Sequence, residues 1–208
     1  MGYVVVQNHG SARALGATDF VMTVKTDNMG VSGNNQFAIP TYGNGFNYSV
    51  DCDSDGTLEA QNINGAYVCT YATPGTYQLS IKGTFPQIFF NGSTDAKKLV
   101  SIDQWGTGAW RSMEHAFHGA SNMEMKAQDK PVLTGNNTSL RGMFYGASSM
   151  TGLQGNWSWD VSHVSTIGSM FREATAFNGN ISSWDTSNIT DMANTFRDAK
   201  KFNRNLGG

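Results

Sequence analysis

Near the end of the chain, one sequence pattern occurs twice at a spacing of 25 residues. Residues 184–202 read WDTSNITDMANTFRDAKKF, and residues 159–177 read WDVSHVSTIGSMFREATAF. Both carry apolar side chains at offsets 0, 5, 8, 12, 15 and 18. The same template starts at Trp105 and, in a degenerate form without the Trp-Asp pair, at Val132. Such a period is typical of a solenoid, in which each unit buries its apolar edge against its neighbours.

The second half of each unit has the spacing of a helix. Met192, Phe196 and Ala199 follow one another at i, i+4 and i+7, which would place them on one helical face, and Asp191 suits a helix N-terminus. The segment that begins with Trp-Asp is expected to be extended. Residues 97–208 are therefore predicted to form an α/β leucine-rich-repeat-like solenoid of about four repeats. Its Trp, Met and Phe positions are predicted to be core, because a core demands such regularity.

The first half is predicted to be β. Short alternating segments are separated by turn signals such as Asn64-Gly65 and Pro74-Gly75, and several strands at this spacing indicate a β-sandwich. The expected domains are a lead-in over residues 1–17, the sandwich over 18–96 and the repeats over 97–208, giving an α+β chain. The predicted strands are Phe20–Thr26, Gln36–Ile39, Asn47–Cys52, Tyr67–Tyr71, Thr76–Lys82 and Gln87–Phe90.

The two cysteines, Cys52 and Cys69, both lie in strand-like segments of the first half. They are either one disulfide or two buried thiols, and we favour the disulfide because the two segments can pair. A bond across a loop of this size would contribute about 3 kcal/mol in the chain-entropy model. It would also indicate an oxidising compartment.

An acidic motif follows the first of these cysteines. Asp51, Asp53 and Asp55 occupy positions 1, 3 and 5 of a loop with glycine at position 6, which resembles the front of a calcium-binding loop. Position 12 is Asn62 where an EF-hand has glutamate, although Glu59 could supply a further ligand. The sequence thus predicts a Ca²⁺ site at these three aspartates. The alternative is a hairpin with a tight turn and solvated carboxylates.

Two resemblances extend this interpretation. The phrase from Ile181 to Asn203, built on Trp184-Asp-Thr-Ser-Asn-Ile189-Thr-Asp-Met192, resembles the 25-residue repeat of BspA-like bacterial surface leucine-rich-repeat proteins. The element Tyr71-Ala-Thr-Pro-Gly75-Thr-Tyr77 is similar to one in PKD-type, immunoglobulin-like modules. The first resemblance implies attachment to surface molecules of a host or a neighbouring cell, and the second implies an immunoglobulin-like sandwich.

No catalytic constellation is visible in the sequence. It contains no Gly-x-Ser-x-Gly, no phosphate-binding glycine loop and no His-Glu-x-x-His. His115 and His118 are three residues apart and could hold a metal, but solvated residues beside the core Phe117 are the favoured interpretation, since no third ligand is in register. We therefore expect a protein that is not an enzyme.

Composition agrees with a surface protein. The formal net charge is −2 and charged residues make up 14% of the chain, against roughly 25% in a typical soluble domain. Nucleic acid is therefore not an expected partner, and no stretch approaches the ~20 apolar residues of a membrane span. We also expect the chain to be excised from a longer protein and truncated within its repeats, so self-association through the open repeat end is predicted.

These observations favour the ligand-binding region of an extracellular, cell-surface adhesin. A surface protein, peptide or glycan would be its partner. Two alternatives remain: a non-catalytic accessory module of a secreted polysaccharide-degrading enzyme, and a structural spacer. Trp157 lies outside the repeat register and is predicted to be exposed. The candidate ligand-binding residues are Trp157, Asp160, Arg172, Asp185, Thr186 and Ser187.

Overall fold

The computed structural model describes residues 16–92, 95–135 and 138–206. Most of the lead-in predicted for residues 1–17 lies outside the described residues, as does Thr94 at the predicted domain boundary. The strands are β1 (Phe20–Lys25), β2 (Gln36–Ile39), β3 (Asn47–Asp51), β4 (Ala60–Ile63), β5 (Tyr67–Thr70), β6 (Thr76–Thr84), β7 (Leu99–Gln104), β8 (Ala109–Trp110), β9 (Glu124–Met125), β10 (Val132–Leu133), β11 (Thr138–Ser139) and β12 (Val164–Thr166).

Two sheets enclose the core of the first half. One has the strand order β4-β3-β6-β1-β7-β9, and the other pairs β2 with β5. Met22 in β1 and Phe37 in β2 belong to the same buried cluster. A disulfide joins Cys52, just after β3, to Cys69 in β5, with the two Cα atoms 5.8 Å apart. The predicted disulfide is confirmed, and it links the two sheets covalently.

Two details of the strand prediction are wrong. Residues 87–90 form no strand, although Ile88 and Phe90 are fully buried. Strands β4 and β7 were not predicted, and β7 is important for the architecture. It pairs antiparallel with β1 and parallel with β9, so the sandwich and the first repeat share one sheet.

The prediction of an α/β repeat solenoid is wrong. The described residues contain no α-helix, and their helical structure is limited to a 3₁₀ helix at Asp95–Lys98. The segments with helical spacing form successive tight turns instead. In the first repeat, Ala116 N–H donates to the Met113 carbonyl and Ala120 N–H to the Phe117 carbonyl, both at 3.1 Å. Throughout these ranges the regular structure is therefore almost entirely β.

Left-handed backbone explains why no helix forms. We call the units that start at Trp105, Val132, Trp159 and Trp184 coils 1 to 4. Each coil has a positive φ at offsets 10 and 14, and two such residues in one short segment interrupt any right-handed helix. The residues at offset 10 are His115, Gly142, Ser169 and Asn194, and those at offset 14 are Gly119, Gly146, Glu173 and Asp198.

The backbone of each coil is hydrogen-bonded to the next. Alternate N–H groups at offsets 8, 10, 12 and 14 donate to carbonyls of the following coil. In a helix these groups would bond to the residue four positions earlier and would not reach a neighbour. The bonds from coil 2 to coil 3 are Leu140 N to Thr166 O (3.0 Å), Gly142 N to Gly168 O (2.9 Å), Phe144 N to Met170 O (2.9 Å) and Gly146 N to Arg172 O (2.8 Å).

A ladder of aromatic rings fills the centre of the stack. Phe117, Phe144, Phe171 and Phe196 occupy offset 12, with successive ring centroids 5.6 to 5.7 Å apart and planes within 15° of parallel. The first three rings are fully buried, and each large buried side chain contributes roughly 1.5–3 kcal/mol. The predicted core positions of Trp105, Phe171 and Trp184 are confirmed. Within the described ranges, no helix is both long and apolar enough to span a bilayer.

A glycine substitution tests the left-handed requirement. A Cβ added to Gly146 would have its nearest contact at 3.8 Å, so alanine there meets backbone strain without a steric clash. We expect Gly146→Ala to lower the free energy of unfolding by about 1 kcal/mol, because left-handed backbone costs an L-residue about 1–2 kcal/mol. Gly108→Ala is the matched control, since its φ is outside that region and its surroundings are open. Urea denaturation measures both, and equal stabilities would contradict the explanation.

Candidate functional site

The acidic motif forms the loop between β3 and β4. Asp51 is buried at the end of β3, and its Oδ2 accepts a hydrogen bond from Gly56 N at 2.9 Å. Glu59 precedes β4, and its Oε2 accepts from Cys52 N at 2.6 Å. These two bonds tie the ends of the loop together, next to the disulfide.

Three carboxylates converge at this loop, but they are not the predicted three. One oxygen each from Asp51, Asp53 and Glu59 lies within 4.8 Å of the others. Asp55 is outside this group, and its Oδ1 accepts from Thr57 N at 2.7 Å. Burial raises the pKa of Glu59, and the nearby charges of Asp53 and Asp51 add to the effect. The arrangement is a set of hard oxygen donors with uncompensated negative charge.

The predicted ligand-binding aspartates lie at equivalent points of coils 3 and 4. Asp160 accepts from Ser162 N at 3.1 Å, and Asp185 accepts from Ser187 N at 3.0 Å. Hydrogen bonds from these serines lower the pKa of both carboxyls. Asp185 and Ser187 are exposed, as is Thr186 between them. This edge of coils 3 and 4 is polar, and each of the two coils contributes one carboxylate that is hydrogen-bonded within its own turn.

The expectation that Trp157 is exposed is wrong. Its side chain is only 4% exposed, and its ring stacks on Trp159 with the centroids 5.1 Å apart. Coil 2 has Val132 where the other coils have tryptophan, and the Trp157 ring of this coil packs against Phe144 and against Phe171 of coil 3. Trp159 reaches across to Trp105, at 5.5 Å between centroids. Trp157 is therefore a packing residue.

Arg172 belongs to a separate row that the sequence interpretation missed. His118, Tyr145, Arg172 and Arg197 occupy offset 13 of coils 1 to 4. The rings of His118 and Tyr145 stack at 4.4 Å and 7°, and the Arg172 guanidinium lies 4.9 Å from the centre of the Tyr145 ring. We call His118, Tyr145 and Arg172 the ring row. Comparing the residues at offset 13 of the four units would have identified this row from the sequence.

His115 and His118 lie side by side on turns, with ring centroids 5.3 Å apart. The Nδ1 atoms of both are buried without a hydrogen-bond partner. Burial lowers the pKa of His118, and the His115 charge acts in the same direction, whereas Glu173 opposes the shift. Burial thus favours the neutral form of His118, and the two rings join the ring row to the sandwich, where Phe89 contacts His115.

A buried charged pair was also missed, and its role is structural. Asp95 and Lys98 in the 3₁₀ helix are both almost completely buried. Although burial acts to raise the pKa of Asp95, hydrogen bonds from Ser32 and Ala38 lower it overall. Lys98 Nζ donates to the Gln36 carbonyl at 2.9 Å and to Ser32. The pair therefore holds the segment before β2 against the boundary of the repeats.

The lowered pKa of His118 predicts a pH response. A histidine whose pKa is lower in the folded state destabilises the fold once it is protonated. Stability should thus be complete above about pH 6.5, the unperturbed histidine pKa, and fall as the pH decreases through the folded-state value. NMR titration of His118 should give a pKa below that of a model histidine. Glu173→Gln should lower the His118 pKa further, because Glu173 opposes the shift. The control Asp198→Asn, at the same offset one coil away, should not change it. A normal His118 pKa would contradict this.

Comparison with known proteins finds a family model that matches the repeat region. No curated protein and no solved structure matches the chain. A family model described as "Mycoplasma protein of unknown function, DUF285" matches residues 87–158 and again residues 138–208. The two matches follow the repeat region and together cover more than half of the 208 residues. The chain therefore belongs to the DUF285 family of Mycoplasma proteins of unknown function.

Proposed function

We propose that this protein is the ligand-binding region of a bacterial cell-surface adhesin that attaches through the surface of its stacked coils. The ring row is the observation that carries the proposal. Backbone hydrogen bonds between coils bring His118, Tyr145 and Arg172 into one continuous series of flat groups, all partly exposed. A row of this kind offers planar stacking surfaces and a cation on a preorganised backbone.

Preorganisation is the physical advantage of this surface. Binding costs about 0.5–1.5 kcal/mol for each flexible side chain that becomes ordered. The ring row is already stacked, and Tyr145 is further held by a contact of 3.3 Å between its hydroxyl and Glu173. Many modest contacts can then give useful affinity, and display of many copies adds avidity.

The partner we propose is a surface protein, peptide or glycan of a host or neighbouring cell. The aspartate edge at Asp160 and Asp185 would supply hydrogen-bond acceptors, while the ring row supplies stacking and positive charge. An extracellular location is supported by the disulfide, because stable disulfides belong to oxidising compartments. The resemblance of the repeats to BspA-like surface proteins supports the same location.

A binding experiment tests the proposal. The protein, immobilised through its disulfide-bearing half, is offered arrays of glycans and extracellular-matrix proteins, and hits are quantified by biolayer interferometry. We expect at least one ligand, and we expect Tyr145→Ala/Arg172→Ala to weaken it at least tenfold, because stacking and cation–π contacts contribute roughly 0.5–2 kcal/mol each. The melting temperature of the variant is measured beside it.

Lys126→Ala provides the matched control, since this exposed side chain makes no hydrogen bond or ion pair with the described residues. It should leave the dissociation constant unchanged. Absence of any ligand on both arrays would favour a structural spacer. A ligand bound equally well by the folded double variant would show that the ring row is not the binding surface.

We also propose self-association through coil 4. Met192 and Leu206 in this coil are 46% and 49% exposed, whereas Leu140 and Ile167, which are equivalent to Met192 in coils 2 and 3, are buried. Light scattering over a range of protein concentrations should show a mass that increases with concentration. Met192→Ser should reduce the increase, and Leu153→Ser, which changes another exposed apolar residue in the repeats, should not. A constant monomer mass would refute the proposal.

A further inference from the structure

We propose that the β3–β4 loop is a calcium site whose protein ligands are Asp51, Asp53 and Glu59, with Asp55 excluded. This site lies in the sandwich and is independent of the adhesive function proposed for the repeats. Three carboxylate oxygens within 4.8 Å of one another fit inside a calcium coordination sphere, whose ligands lie about 2.3–2.6 Å from the ion.

A buried oxygen without a partner points to a ligand at this place. Asp51 is 3% exposed, and its Oδ1 makes no hydrogen bond, whereas Oδ2 accepts from Gly56. A buried carboxylate oxygen left unpaired is costly, and a bound cation would satisfy it. Ser54 Oγ, in the same loop, is a second buried oxygen without a hydrogen bond.

The other two carboxylates are arranged in the same way. Glu59 uses Oε2 to accept from Cys52 N, and Asp53 uses Oδ1 to accept from Asp55 N at 3.3 Å. Each therefore keeps one oxygen for a cation while the other holds the loop. Both side chains are exposed, so water can complete the six to eight ligands that calcium requires.

The chemistry of the donors selects the metal. The set contains only carboxylates, which favour hard cations, and it lacks the histidine or thiolate that zinc and copper prefer. Magnesium demands near-ideal octahedral geometry at about 2.0–2.1 Å, whereas calcium accepts irregular arrangements. A site with three protein carboxylates and abundant water is expected to bind calcium in the range of about 10⁻⁴–10⁻³ M, as extracellular modules do.

The experiment compares three isosteric variants in the intact protein. Calcium at tenfold excess over Kd should raise the melting temperature by about 3–6 °C, because such binding is equivalent to about 1.4 kcal/mol. Asp53→Asn and Glu59→Gln should abolish the increase, since each keeps its loop hydrogen bond but loses its charge. Asp55→Asn is the matched control, and it should keep the full shift.

Terbium luminescence gives a second readout. Tyr71 donates a hydrogen bond to the Cys52 carbonyl at 2.9 Å, close enough to the loop to sensitise a bound Tb³⁺. Emission should appear with the wild type and with Asp55→Asn, be displaced by Ca²⁺, and be lost in Glu59→Gln. The proposal is overturned if calcium changes neither signal, if Mg²⁺ has an equal effect, or if Asp55→Asn is the variant that loses binding.

Discussion

The repeat region depends on one constraint: alternate backbone N–H groups of each coil must face the next coil. Twelve such bonds join coils 1 to 4 at offsets 8, 10, 12 and 14. Each contributes only about 1 kcal/mol net, but a buried N–H without a partner would cost more. The left-handed residues at offsets 10 and 14 are what turn these groups outward from their own coil. The stacked phenylalanines and the ring row follow, because bonding in register places equivalent side chains one above another.

The sequence predicted most of the buried template positions, although Trp157 is buried and Met192 exposed against expectation, and it did not predict the backbone that buries them. Spacing of i, i+4 and i+7 is common to an amphipathic helix and to these successive turns, because both bring the three positions to one side. The distinguishing signal is the left-handed pair in each coil. In coils 1 and 2 glycine occupies three of these left-handed positions, Gly119, Gly142 and Gly146. In coils 3 and 4 they are occupied by other residues, such as Ser169 and Glu173. Stacking overrides their intrinsic preference, which local sequence does not reveal.

Contacts between coils also explain the burial of Trp157. Its position outside the repeat register, two residues before Trp159, indicated a surface residue. Coil 2 has Val132 at the tryptophan position, and this side chain is 43% exposed, while Trp159 of coil 3 packs directly against Trp105 of coil 1. Coils 1 and 3 therefore contact each other where coil 2 lacks the tryptophan of the repeat, and the buried Trp157 of coil 2 stacks on Trp159 beside that contact. Packing of this kind depends on contacts between coils, so no single unit predicts it.

The acidic loop shows where linear motifs stop being informative. Spacing drew attention to Asp51 and Asp53, because alternate residues of a turning chain can converge. It also favoured Asp55, whose carboxylate accepts a hydrogen bond within its own turn from Thr57 N and lies outside the cluster of carboxylates. Glu59 joins the cluster because its N–H donates to the Val50 carbonyl at 3.0 Å as the chain returns toward β3. The register of the β3–β4 hairpin thus determines which residue supplies the third carboxylate. That register is fixed by the pairing of β3 with β4 and β6. The disulfide at Cys52 holds the same corner, so the charge cluster lies beside the covalent link between the two sheets.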